Sequence, residues 1–184
     1  MFDTLAALAM LWAAAFSAGD PVPYETAVAA DPVVAVSSDN ANDSEAVAPE
    51  LTPEQAALMA EDPDWSAKAS LYHAGGGGAT GNDSLGCRPI PMRTLATDPR
   101  VIPRRTRLFI RETVGMRMPN GAVHDGYWYA SDTGGAIRGQ RVDLYTGNGR
   151  GSMQPVLRFN QRNLTITDAG RFDGCPPAWE SASN

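Results

Sequence analysis

The chain has 184 residues, 43% hydrophobic and 20% charged, enough for one packed domain with chain to spare. Its 18 Gly and 14 Pro favour turn-rich β structure and linkers over a helix bundle. The formal charge of −6 is unevenly divided: residues 1–67 hold twelve of the 21 acids and none of the 15 bases. An acidic leader therefore precedes a basic, Arg-rich domain, a polarity that suits an anionic partner. Outside the extreme N-terminus no run of 18 apolar residues occurs, which excludes an internal transmembrane helix.

In chain order, residues 4–18 (TLAALAMLWAAAFSA) have the length and small-residue ending of a secretory h-region, so residues 1–18 are expected to be a signal peptide. The n-region Met1-Phe2-Asp3 lacks the usual Lys or Arg, and no Cys follows to carry a lipid anchor. An exported, periplasmic or envelope-associated protein is expected, with no membrane span once the signal is removed. Residues 19–84 read as an acidic, Gly/Pro/Ala-rich linker, disordered over 19–50, where no apolar period exists. Within it Thr52-Pro53-Glu54-Gln55 carries the marks of a short helix start, with Thr as N-cap, Pro at the first helical position and Gln three residues after the cap. A Gly-rich spacer over 75–81 follows.

Residues 85–184 are expected to be the folded domain, an all-β unit of about six short strands. Strand candidates are 106–111, 122–130, 141–145, 155–159 and 163–167, and Pro119-Asn120-Gly121 signals a tight turn inside a 116–125 hairpin. Cys87 and Cys175 flank this region, and in an exported protein two isolated cysteines form a disulfide. Closing so long a loop is worth roughly 4–5 kcal/mol in the chain-entropy view. His73 and His124 have no ligand spacing to either Cys, so no metal and no cofactor are expected.

No nucleophilic Cys, Ser/His arrangement or metal cluster stands out, which leaves carboxylates as the reactive candidates. Three have distinctive settings: Asp98 in TDPRVIP, Asp132 in SDTGGAIRGQ and Asp143 in RVDLYTG. Each lies at the edge of an expected strand, and the Gly pair after Asp132 lets backbone approach a ligand closely.

The run TDPRVIP followed by SDTGGAIRGQRVDLYTG closely resembles the three-aspartate (3D) domain, which is shared by membrane-bound lytic murein transglycosylase A and by stand-alone bacterial proteins of the stationary-phase survival type. The resemblance covers roughly residues 94–147. It implies a six-stranded double-psi β-barrel and cleavage of peptidoglycan glycan strands, with Asp143, Asp132 and Asp98 as the catalytic set and Thr133, Gly134, Gly135, Arg138 and Tyr145 contacting substrate. Two departures stand out: Arg104-Arg105-Thr106 follows Ile102-Pro103 where the family has Leu-Gly-Thr, and the 116–125 hairpin lengthens the stretch between Asp98 and Asp132.

The chemistry of such a cut needs a carboxylic acid that still holds its proton near neutrality. Crowding of Asp132 against Asp143 would raise proton affinity by like-charge repulsion. The resemblance places Asp143 as the group that acts first as acid and then as base, forming a 1,6-anhydromuramoyl product, with Asp132 and Asp98 orienting and tuning it. The competing expectation is a non-catalytic wall-binding module in which Tyr127, Trp128, Tyr129 and Tyr145 stack on sugars. Either way the partner is peptidoglycan, and no nucleic acid is expected in an exported protein.

Overall fold

The computed structural model describes residues 50–76 and 81–179. The expected signal peptide at 1–18, the leader up to residue 49 and the centre of the Gly-rich spacer lie outside the described residues. Among the described residues no helix is long and apolar enough to cross a membrane.

The described chain is mostly β. Its strands are β1 (Trp65–Ala74), β2 (Thr94–Thr97), β3 (Thr106–Ile110), β4 (Tyr127–Thr133), β5 (Arg141–Asn148) and β6 (Asn163–Arg171). Each strand is hydrogen-bonded to two others, so the sheet closes on itself in the order β1-β5-β2-β4-β3-β6. β1 runs parallel to β5 and β2 parallel to β4, and the other four junctions are antiparallel.

Strand pleat sends alternate side chains to opposite faces, and the sequence alternates to match. Ala67 and Ala69 of β1, Leu108 and Ile110 of β3, Trp128 and Ala130 of β4, Val142 and Leu144 of β5, and Ile166 of β6 are all fully buried inside the ring. Burying each large side chain contributes roughly 1.5–3 kcal/mol. The residues between them, including Ser70, Tyr72, Asp143 and Tyr145, belong to the outer face.

Three expectations need correction. Folded structure begins well before residue 85: β1, in the supposed linker, pairs with both β5 and β6 and closes the ring. Its inward positions are mostly alanine, too weakly apolar to stand out in an Ala-rich segment. Residues 155–159 are not a strand but the end of a 3₁₀ stretch, Arg150–Phe159. Pro155 has no N–H for a ladder, and Val156 and Phe159, three apart, share one buried face at the 3₁₀ period. The aromatic run of β4 is not a sugar platform. Trp128 points into the core, with its indole N–H donating to Thr113 Oγ1 at 3.1 Å, while Tyr127 and Tyr129 are 9% and 7% exposed.

The cover on that outer face is α1 (Pro53–Ala60). Thr52 caps it in the expected way, its hydroxyl accepting from Gln55 N and the Gln55 side chain accepting from Thr52 N. Leu58 packs with Phe109, Tyr127 and Tyr129, Gln55 Nε2 donates to Asp125 O at 2.9 Å, and Glu54 pairs with Arg107. Part of the acidic leader is thus fastened to the basic domain. The 116–125 hairpin forms as expected, with Arg117 bridging Val123. Cys87 and Cys175 are joined by a disulfide.

Candidate active site

Asp132 and Asp143 reach one neighbourhood through a defect in the sheet. In an unbroken β4, Asp132 would share the inward face of Trp128 and Ala130. The β2–β4 register instead slips between Leu95–Ala130 and Ala96–Asp132, leaving Ser131 as an extra residue. Such a bulge reverses the parity of the residues beyond it, and Asp132 turns outward. Ala96 is then the cross-strand partner of Asp132 on one side and of Asp143 on the other. The two aspartates are two strands apart, roughly 10 Å between backbones, on either side of Ala96.

Their surroundings differ sharply. Asp132 accepts three hydrogen bonds: from the Tyr72 hydroxyl to Oδ2 at 2.9 Å, from Ser84 N to Oδ1 at 3.1 Å and from Thr133 N to Oδ1 at 2.8 Å. Asp143 is half-buried on β5, opposite Ser70 of β1. Among the described residues its Oδ1 is buried without a hydrogen-bond partner. Burial pushes its proton affinity above the usual carboxylate range, and Asp132 adds to the rise, while Ser70 and Arg141 pull the other way. A half-buried carboxyl with raised proton affinity, beside one held by three donors, is a pair whose environments separate an acid role from a charge role.

Asp98 does different work. It is 2% exposed, and Arg100 grips both oxygens, Nε on Oδ1 at 3.0 Å and Nη2 on Oδ2 at 2.8 Å. Gly139 N donates to Oδ2 at 2.9 Å, where Gly139 takes a positive φ of 66°. The Arg100 hydrogen bonds, followed by the Gly139 N–H, hold its carboxyl well below the ordinary range. Asp98 is therefore no proton donor; it pins the 134–139 loop to the end of β2.

On that loop Thr133, Gly135 and Arg138 are exposed and Gly134 is half-buried. A Cβ on Gly134 would stand 2.8 Å from Ile137 Cγ1, so a side chain there would displace the buried Ile137. Tyr145 is 6% exposed, its ring packed on Tyr72 with centroids 5.2 Å apart, so it offers no free face to a sugar. A cleft of about 580 Å³ lies further along β5, lined by Met92, Met118, Gly147, Asn148 and Trp179 among others, and includes none of the three aspartates. Among the described residues no cluster of His, Cys, Asp and Glu is arranged to hold a metal ion.

Sequence reasoning missed Tyr72 and Ser84. Both lie in the segment read as linker, and the faint signal for Tyr72 was the alternation Ala67, Ala69, Leu71 against Ser66, Lys68, Ser70, Tyr72.

Residues 93–154 match the model of the 3D domain. That stretch is a 3D domain. The matched stretch takes in Asp98, Asp132 and Asp143 and leaves out Tyr72 and Ser84. No curated protein matches the chain in sequence. Among solved structures it is similar to the lytic transglycosylase LtgG of Burkholderia pseudomallei, at 29% identity over 50% of this chain and 28% of that one, TM-score 0.35. It is also similar to Escherichia coli MltA, solved with bound chitohexaose, at 23% identity over 50% of this chain and 29% of that one, TM-score 0.35. A membrane-bound lytic murein transglycosylase from Agrobacterium tumefaciens shares 25% identity over 45% of this chain and 25% of its own length, TM-score 0.32. The chain thus spans less than a third of these structures.

Proposed function

We propose that this protein is an exported lytic transglycosylase that cleaves the MurNAc–GlcNAc bond of peptidoglycan, and that its closed sheet is a double-psi β-barrel. The two parallel junctions, β1 with β5 and β2 with β4, support the topological reading. The observation that carries the functional one is the contrast between Asp143, half-buried with an unpartnered oxygen, and Asp132, held by three donors.

In this reading Asp143 gives its proton to the glycosidic oxygen as the bond to muramoyl C1 breaks. The positive charge that develops at C1 lies within the field of Asp132. Asp143, now a carboxylate, accepts the proton of the muramoyl C6 hydroxyl as that oxygen bonds to C1. The ring closes to the 1,6-anhydro product, no water is consumed, and the acid is regenerated. Asp98 serves by fixing the loop that carries Arg138, whose guanidinium suits the carboxylates of stem peptides.

The test is mass spectrometry of purified sacculi after incubation with the protein. Anhydromuropeptides are the expected product. Reducing-end sugars would make the protein a hydrolase, and intact sacculi that retain bound protein would make it a wall-binding module.

A further inference from the structure

Tyr72 lies outside the stretch matched by the 3D domain, yet it reaches that domain's second aspartate. Its hydroxyl donates to Asp132 Oδ2 at 2.9 Å, and because β5 and β2 stand between β1 and β4 in the ring, the bond spans both strands. The ring is braced by Tyr145, 5.2 Å away between centroids. The hydroxyl is bonded to Asp132 of β4 and lies within electrostatic reach of Asp143 of β5 and Asp83 of the loop before β2, while Arg141 draws on Asp143 from its own strand. Asp83 is already engaged by the N–H groups of Leu85 and Cys87. Burial and these neighbours keep the phenol protonated far above its ordinary range. The hydroxyl is therefore a permanent donor.

The other oxygen of Asp132 is held by Ser84 N, and the Ser84 hydroxyl donates to Ser131 O at 2.9 Å, on the bulged residue itself. Two groups that precede the matched domain thus clamp Asp132 from both sides at the point where the bulge turns it outward. A single donor would fix one oxygen and leave the carboxylate free to rotate.

We propose that Tyr72 is a positioning residue for the glycosidic cleavage proposed above: by donating to Asp132 Oδ2 it fixes the orientation of that carboxyl group and so the field it exerts on Asp143. The inference rests on that functional reading, and its test separates the two.

Tyr72→Phe keeps the ring packing on Tyr145 and deletes only the donor. Loss of a hydrogen bond to a charged group predicts about 10–100-fold slower release of anhydromuropeptides. The pH–rate profile would change shape, because an Asp132 freed to rotate alters the field at Asp143, and retention on sacculi would be unchanged. Independently of activity, ¹³C NMR of the aspartate carboxyl groups in the full chain reads each titration directly. In Tyr72→Phe the Asp132 titration should move up by about one pH unit or more. Replacing Tyr72 with 3-fluorotyrosine, a stronger donor of nearly the same shape, should move it down, and this covers the case in which the Phe variant fails to fold. An Asp132 titration that moves with neither replacement would overturn the inference, as would a Tyr72→Phe enzyme with the parental rate and pH profile. Should the parent protein release no anhydromuropeptides, the functional reading fails, while the carboxyl titrations still decide whether Tyr72 governs Asp132.

Discussion

Asp98 and Asp143 are both aspartates at the edges of short strands, and the protein treats them in opposite ways. Around Asp98 the donors are complete, with a guanidinium across both oxygens and a backbone N–H on each of them. Around Asp143 a buried oxygen has no donor among the described residues. The first arrangement favours the charged form and ties two loops together. The second disfavours it and raises the affinity for a proton. Satisfied polar groups build a fold, and an under-satisfied one is where chemistry can occur.

The largest break in this contrast should come from Asp143→Asn, which keeps shape and removes the titratable proton. Anhydromuropeptide release is expected to fall by about 10²–10⁴-fold, the usual cost of losing a general acid. Stability should hold or rise at neutral pH. The sign comes from linkage: a carboxyl whose folded-state proton affinity is raised weakens the fold as pH climbs through that range, and the amide removes this penalty. A folded variant that cleaves at the parental rate would move the acid role elsewhere.

Asp98→Asn should do the reverse, lowering melting temperature first and activity second, through the loosened 134–139 loop. Here the folded carboxyl sits below its unfolded value, so its contribution is present above the ordinary Asp range and lost as pH falls through the folded-state value. The variant should therefore differ most from the parent at neutral pH and converge with it in acid. Calorimetry across pH reads both effects.

His124 sharpens the comparison within the core. Its Nε2–H donates to Met92 O at 2.8 Å, and Nδ1 accepts from Gly126 N at 2.9 Å, so the neutral ring is the form that fits. Burial lowers its proton affinity from 6.5 to about 4. Stability from this group is complete above the unfolded value and disappears as pH falls between 6.5 and about 4, a loss of about 3 kcal/mol. In His124→Gln, denaturant midpoints should lose much of their slope in that window.

The smallest effect tests whether α1 belongs to the domain. Thr52→Ala removes the N-cap hydroxyl and should cost about 1 kcal/mol of unfolding free energy, measured by urea denaturation. No loss at all would mean that α1 adds nothing to the stability of the sheet beneath it.

Much of this protein was written locally. The alternation of Leu108 and Ile110, of Val142 and Leu144, and of Leu164 and Ile166 marks strands from sequence alone. Thr52-Pro53-Glu54-Gln55 marks the helix, and the outward setting of Asp143 follows from its apolar neighbours. Period and capping are short-range properties, legible without knowing what lies across the sheet. The rest depended on long-range partners. β1 is a strand because β5 and β6 supply its hydrogen bonds, not because its alanines demand it. Asp132 faces Asp143 only because a register slip against β2 reverses its parity. Tyr72 and Ser84 became site residues only when ring closure carried them to Asp132, and Tyr127 and Tyr129 lost their place as candidates because α1 covers them. A single strand's sequence says which residues share a face, but which face another element buries, and which partner fills a carboxylate, is decided by how the ring closes.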